Sequence, residues 1–169
     1  GYWSLLNREK RLVMPHLFML EPYQPNKKII VMIHGLGSSP EAWVLLTNNI
    51  MGDRVLRDNY QVWQIFYSTN MPILESRFQI YELLKQAFSQ TQPNSISAND
   101  AVVIGHSMGG VISRLLVSQA DVSEKAIPLM SEQQKKQLDH FPIIRQRFIF
   151  KPIPQFTRAI FIASPQKGT

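Results

Sequence analysis

Residues 101–110, Ala-Val-Val-Ile-Gly-His-Ser-Met-Gly-Gly, constrain this chain more than any other stretch. Four apolar residues, mostly β-branched, read as a short buried strand. They run into Gly105-His106-Ser107-Met108-Gly109, and an apolar-periodic segment over residues 111–117 follows at once. Strand, G-x-S-x-G, helix predicts a nucleophile elbow, a strained turn that holds the Ser107 hydroxyl clear of a sheet. Glycine fits at 105 and 109 because such a turn brings backbone too close for a Cβ. The Met108 N–H then falls at the start of a helix, where an orphan donor and the helix dipole face an oxyanion.

A second signal lies upstream. Residues 28–33 form another buried-strand run, and it ends in His34-Gly35-Leu36-Gly37-Ser38-Ser39. A loop of small residues after a strand, opening a helix, supplies a second backbone N–H to the same oxyanion. With these motifs the chain resembles the α/β-hydrolase superfamily, and within it the lipase-like and inositol-deacylase-like serine hydrolases. Phe161-Ile162-Ala163-Ser164-Pro165-Gln166-Lys167-Gly168-Thr169 looks like the strand and loop that follow the elbow helix there, with Gln166 where a histidine often stands. Pro40 to Trp43 and the turn from Tyr67 to Pro72 are similar to a bacterial branch of the group. The likeness covers most of the chain from about Val13 onward. It implies Ser107 as nucleophile, with the Leu36 and Met108 amides as oxyanion hole.

Length and composition set bounds on this reading. The 169 residues suit one domain with a real core, and 44% hydrophobic with 18% charged residues is ordinary for a globular chain. No apolar run reaches the length of a membrane span. Eighteen Lys+Arg against 12 Asp+Glu give +6, but the basic residues are scattered and no nucleic-acid motif accompanies them. The charge reads as a solvated surface, with peripheral contact to a phospholipid interface as the alternative. The absence of cysteine removes a disulfide framework and a zinc-type cluster and leaves the redox compartment open, while the serine-hydrolase reading implies no metal or organic cofactor. The chain starts Gly-Tyr-Trp, with no visible signal peptide, which leaves bacterial cytoplasm and cell envelope both open.

In chain order, Trp3, Leu5 and Leu6 are expected to pack on a neighbouring surface, and residues 12–20, interrupted by Pro15, predict an edge strand. His16 reads as a half-exposed histidine, and residues 21–26 as a turn. Ser39-Pro40-Glu41 predicts a helix start, running to about Met51 with Gly52 closing it. Residues 61–67 predict a strand. Thr69 or Asn70 then caps a helix with Pro72 in its first turn. Its inward stripe is expected at Leu74, Phe78, Tyr81 and Lys85, with Leu84, Ala87 and Phe88. Residues 91–99 read as a polar loop. Residues 118–157 hold four prolines and a polar helical run over 131–140, and resemblance implies a cap or lid there. Phe141, Ile143, Ile144, Phe148, Ile149 and Phe150 either line an acyl site or pack a surface excursion onto the domain. Residues 158–163 return to the sheet.

Alternating strands and helices predict an α/β fold: a mostly parallel sheet of about five strands, with helices on both faces and the site at the strands' carboxyl ends. A serine nucleophile needs a histidine base oriented by an acid, in the order Ser, Asp or Glu, His. No acid or histidine follows the last strand before Thr169, and His34 and His106 face the wrong way. Asp121 or Glu124 with His140 is the one pairing left within the chain. The expectation is therefore an amino-terminal part of a longer hydrolase, truncated before the last strands, with acid and base beyond Thr169. The terminal strand should then self-associate or take a partner fragment. The expected activity is hydrolysis of carboxylic esters, acyl lipids above all, through an acyl-enzyme on Ser107. The alternatives are an acyltransferase on the same scaffold and a non-catalytic hydrolase-like interaction domain.

Overall fold

The sheet grows outward from β2 (Lys28–Gly35), whose Lys-Ile-Ile-Val-Met-Ile run is buried on both faces, as a central parallel strand requires. The computed structural model describes residues 14–35 and 40–162. Leu36, Trp3, Leu5, Leu6, the capping Ser39 and the segment from Ala163 onward therefore lie outside the described residues. β2 pairs in parallel with β3 (Tyr60–Tyr67) on one side and β4 (Ala101–His106) on the other. β7 (Phe156–Ile162) continues the parallel sheet beyond β4, and β1 (His16–Met19) closes the other side antiparallel to β3. The resulting order, β1-β3-β2-β4-β7, is a five-stranded sheet, as the alternation of elements predicts. Pro15 stands just ahead of β1, at an edge where its missing N–H costs no ladder bond.

Side-chain alternation divides the core between the two faces. Ile29, Val31 and Ile33 pack with Trp63, Ile65, Ala101 and Val103 beneath α3 (Ile73–Ser89) and α4 (Met108–Leu116), through Ile80, Leu84, Phe88, Ile112 and Leu116. Ile30, Met32, Val62 and Ile104 face the opposite way, onto Trp43 and Ile50 of α1 (Pro40–Gly52). Helices on both faces follow from right-handed crossovers that step first one way and then the other along the sheet. Gln61 is 1% exposed within β3; its amide donates to the Gln24 and Lys27 carbonyls and accepts from the Gln24 N–H, fixing the turn ahead of β2.

Several local expectations need correction. α3 starts at Ile73, and its N-cap position is Pro72, with no side-chain cap from Thr69 or Asn70. Proline restrains the residue ahead of it from helical geometry, so the chain cannot enter the helix earlier. The buried face of α3 is Ser76, Arg77, Ile80, Leu84 and Phe88, not the stripe through Leu74, Phe78 and Lys85. Between α1 and β3 stands an unanticipated short helix, α2 (Arg54–Asn59), capped by the Asp53 carboxylate, which accepts from the Leu56 N–H.

Residues 118–157 hold more regular structure than their broken periodicity suggests. β5 (Ala120–Asp121) and β6 (Ile149–Phe150) form a two-stranded ribbon. Between them run α5 (Ser123–Ala126), α6 (Glu132–His140) and α7 (Pro142–Arg145). α6 begins with a capping box between Ser131 and Gln134. Two arginines tie the excursion to α3. The Arg77 guanidinium, 1% exposed, donates to the Ile149 and Lys151 carbonyls and lies between the Tyr81 and Phe150 rings, 4.8 Å from each centroid. Arg147 donates to Glu75 at 2.8 Å in a nearly buried ion pair and covers Phe78.

Candidate active site

Ser107 sits between the end of β4 and the first residue of α4, with φ 55° and ψ −119°. Positive φ is uncommon for a residue with a Cβ, and here the surroundings hold it in place. Its N–H donates to the Ile162 carbonyl at 2.9 Å, and its own carbonyl accepts from the Gly110 N–H at 2.9 Å. The glycines on either side are sterically required. A Cβ on Gly105 would drive into the Gly109 carbonyl and the Ser113 hydroxyl, and one on Gly109 into the Ile33 carbonyl. The close approach of Gly109 to Ile33 also sets the elbow against the carboxyl end of β2. Ser107 is exposed, and among the described residues nothing hydrogen-bonds its hydroxyl. The Met108 amide opens α4, where helix N–H groups lack intrahelical partners.

Ser107 opens into a groove of about 660 Å³ between α4 and β7. Met108, Val111, Phe161 and Ile162 give it apolar walls, and Arg114 stands further along α4. The sequence reading missed Arg114. Its seven-residue offset from Ser107 is the signal, since two helical turns bring it back to the same face.

Under the elbow, on the α1 face of the sheet, His34, Trp43, Phe66 and His106 form an aromatic cluster. The His34 ring lies 4.6 Å from Trp43 and 4.1 Å from Phe66, and Trp43 meets His106 edge-on at 5.8 Å. Burial, assisted by the nearby positive charge of His106 when protonated, lowers the His34 pKa to about 4. His34 is therefore a neutral packing group at ordinary pH, with a buried Nε2 that has no hydrogen-bond partner among the described residues.

The structure does not join His140 to an acid. His140 is exposed at the end of α6, and among the described residues no hydrogen bond or ion pair links it to Asp121 or Glu124. Asp121 is engaged locally, accepting from the Ser123 hydroxyl and N–H, which lowers its pKa. Among the described residues no cluster of histidines and carboxylates is grouped to hold a metal ion.

Residues 24–144 match the family model described as "Putative serine esterase (DUF676)". The chain belongs to this serine-esterase family. The match brackets both motif loops and the elbow, and it agrees with an α/β-hydrolase fold built on a mostly parallel sheet. Solved structures similar to this esterase-family chain include the C6-C4 SN3-inhibited esterase B from Lactobacillus rhamnosis. It is 11% identical with a TM-score of 0.49, covering 95% of this chain and 55% of the other. Est1E from Butyrivibrio proteoclasticus is 15% identical with a TM-score of 0.43, covering 60% of this chain and 39% of the other. The chain thus spans about half the length of these esterases or less. No curated protein matches the sequence.

Proposed function

We propose that this chain carries the nucleophile half of a serine hydrolase acting on carboxylic esters. The observation behind the reading is Ser107 itself: an exposed hydroxyl on a positive-φ turn, directly before the first amide of a helix. In this mechanism Ser107 Oγ attacks the acyl carbonyl and gives its proton to a base. The carbonyl oxygen gains the negative charge, which the Met108 N–H and, as the second proposed donor, the Leu36 N–H stabilise. Collapse expels the alcohol, protonated by the same base, and leaves an acyl-enzyme. Water then adds to the acyl carbon, its proton passing to the base, and the acid departs as Ser107 regains its proton. The base and its orienting acid are not found among the described residues, where Asp121 is held by Ser123 and no ion pair joins His140 to Asp121 or Glu124.

Acyl lipids are the proposed substrate class, met at a membrane surface. Support comes from the excursion over residues 118–157, proposed as the cap. Together with the first turn of α3 it borders an open cavity of about 760 Å³, lined by apolar Ile73, Leu74, Met130, Leu138, Ile144 and Phe148 with polar Glu75, Gln134, Gln137 and Arg147 among them. A volume of this size with a mainly apolar lining and a few polar groups suits a small-molecule site. Exposed Ile160 and Phe161 on β7 support self-association, or docking of a partner fragment, at that edge.

A fluorophosphonate probe tests the nucleophile. The full-length protein should be labelled at Ser107 and lose labelling in Ser107→Ala. Absence of labelling in folded protein would refute the reading and favour a non-catalytic interaction domain.

A further inference from the structure

We propose that Arg114 makes the Ser107 groove selective for esters carrying an anionic group at the far end from the scissile carbonyl. The inference rests on the reading of Ser107 as nucleophile and adds a substrate feature to it. The groove beside Ser107 is walled by Met108, Val111, Phe161 and Ile162, none of which favours a charge. Arg114 is its sole ionisable lining side chain among the described residues. The guanidinium stands 5.9 Å from the Phe161 ring centroid, and among the described residues no carboxylate forms an ion pair with it. Its five donors thus remain available along a wall that presents only apolar groups elsewhere.

Spacing gives the ligand its length. Seven residues of helix separate Ser107 from Arg114, a rise of about 10 Å along the axis. An ester seated with its carbonyl at Ser107 and a short chain along Val111 and Phe161 reaches the guanidinium with its other end. A carboxylate or phosphate there accepts a bidentate, charge-assisted pair, whereas a neutral terminus leaves the guanidinium to water. The preference is one of binding and does not need the acid and base.

Binding to Ser107→Ala protein therefore tests it separately from catalysis. Monomethyl suberate, with one free carboxylate, and dimethyl suberate, its neutral counterpart, are titrated by NMR into the full chain carrying Ser107→Ala. The monoanion should bind about fivefold more tightly, a modest factor because the arginine is exposed and the pair is screened. Adding Arg114→Gln should bring the ratio close to one, Arg114→Lys should retain part of it, and raised salt should reduce it. Arg54→Gln, which removes an equal charge on α2, should leave the ratio intact. Equal binding of the two esters, or binding of neither, overturns the proposal. So does an equal effect of Arg54→Gln, since overall charge would then be the cause. Failure of fluorophosphonate labelling would strike the nucleophile reading and leave this ratio measurable.

Discussion

Acid should loosen the sheet face beneath the elbow, and His34 sets the size of the effect. In an unfolded chain its imidazole titrates near pH 6.5, while in the fold burial and His106 bring it to about 4. Between those values the unfolded chain holds the extra proton, so stability rises with pH across this window. The contribution is complete above pH 6.5 and falls as the pH drops toward 4. Moving the imidazole from 6.5 to about 4, at about 1.4 kcal/mol for each tenfold change in proton affinity, gives roughly 3 kcal/mol lost by pH 4. Because His34 Nε2 has no partner among the described residues, His34→Leu removes the titration without breaking a hydrogen bond to any of them. Urea unfolding of both proteins from about pH 7.5 to pH 4 should then show the wild type losing about 3 kcal/mol more than the variant. Parallel stability curves for the two proteins would refute the argument, because the proton would not distinguish folded from unfolded His34.

Three further outcomes are expected. Gly105→Ala should cost about 2 kcal/mol or more in chemical denaturation, since the new Cβ meets the Gly109 carbonyl, a backbone group of the elbow helix, as well as the Ser113 hydroxyl. Arg77→Met keeps much of the stem but loses the donors to Ile149 and Lys151, so amide exchange in β6 should quicken well before that of β4. Glu75→Gln leaves the nearly buried Arg147 without its counter-charge; about 1–3 kcal/mol of destabilisation is expected, with faster exchange over residues 118–157.

The elbow was legible because its constraints are local. Glycines at 105 and 109 and a β-branched strand before them announce a turn whose geometry depends on residues within a few positions. The central strands declared themselves in the same way, through apolar runs buried on both faces. The inward face of α3 was not legible. Arg77 breaks every rule for a core position, and its burial is made tolerable by the carbonyls at Ile149 and Lys151, more than seventy residues away, and by the Tyr81 and Phe150 rings around it. Helix α2 escaped notice because six residues give too short a window for helical periodicity, and its capping Asp53 is equally at home in a turn. The site was read only in part for a related reason. Ser107 and Met108 are adjacent in sequence, whereas Arg114 acquires meaning only when β7 supplies the opposite wall of the groove.

The backbone at Ser107 also chooses among nucleophiles. Serine, threonine and cysteine all offer a group that attacks a carbonyl, yet φ of 55° does not treat them alike. Threonine carries a second heavy atom on Cβ, and branched side chains are genuine outliers at positive φ. Serine and cysteine are unbranched and meet the turn with the same single Cβ. The turn therefore permits a thiol in place of the hydroxyl and discourages the secondary alcohol, a selection made by the chain's torsion before any substrate arrives. A drift from serine to cysteine would keep the elbow, while a drift to threonine would have to unwind it first.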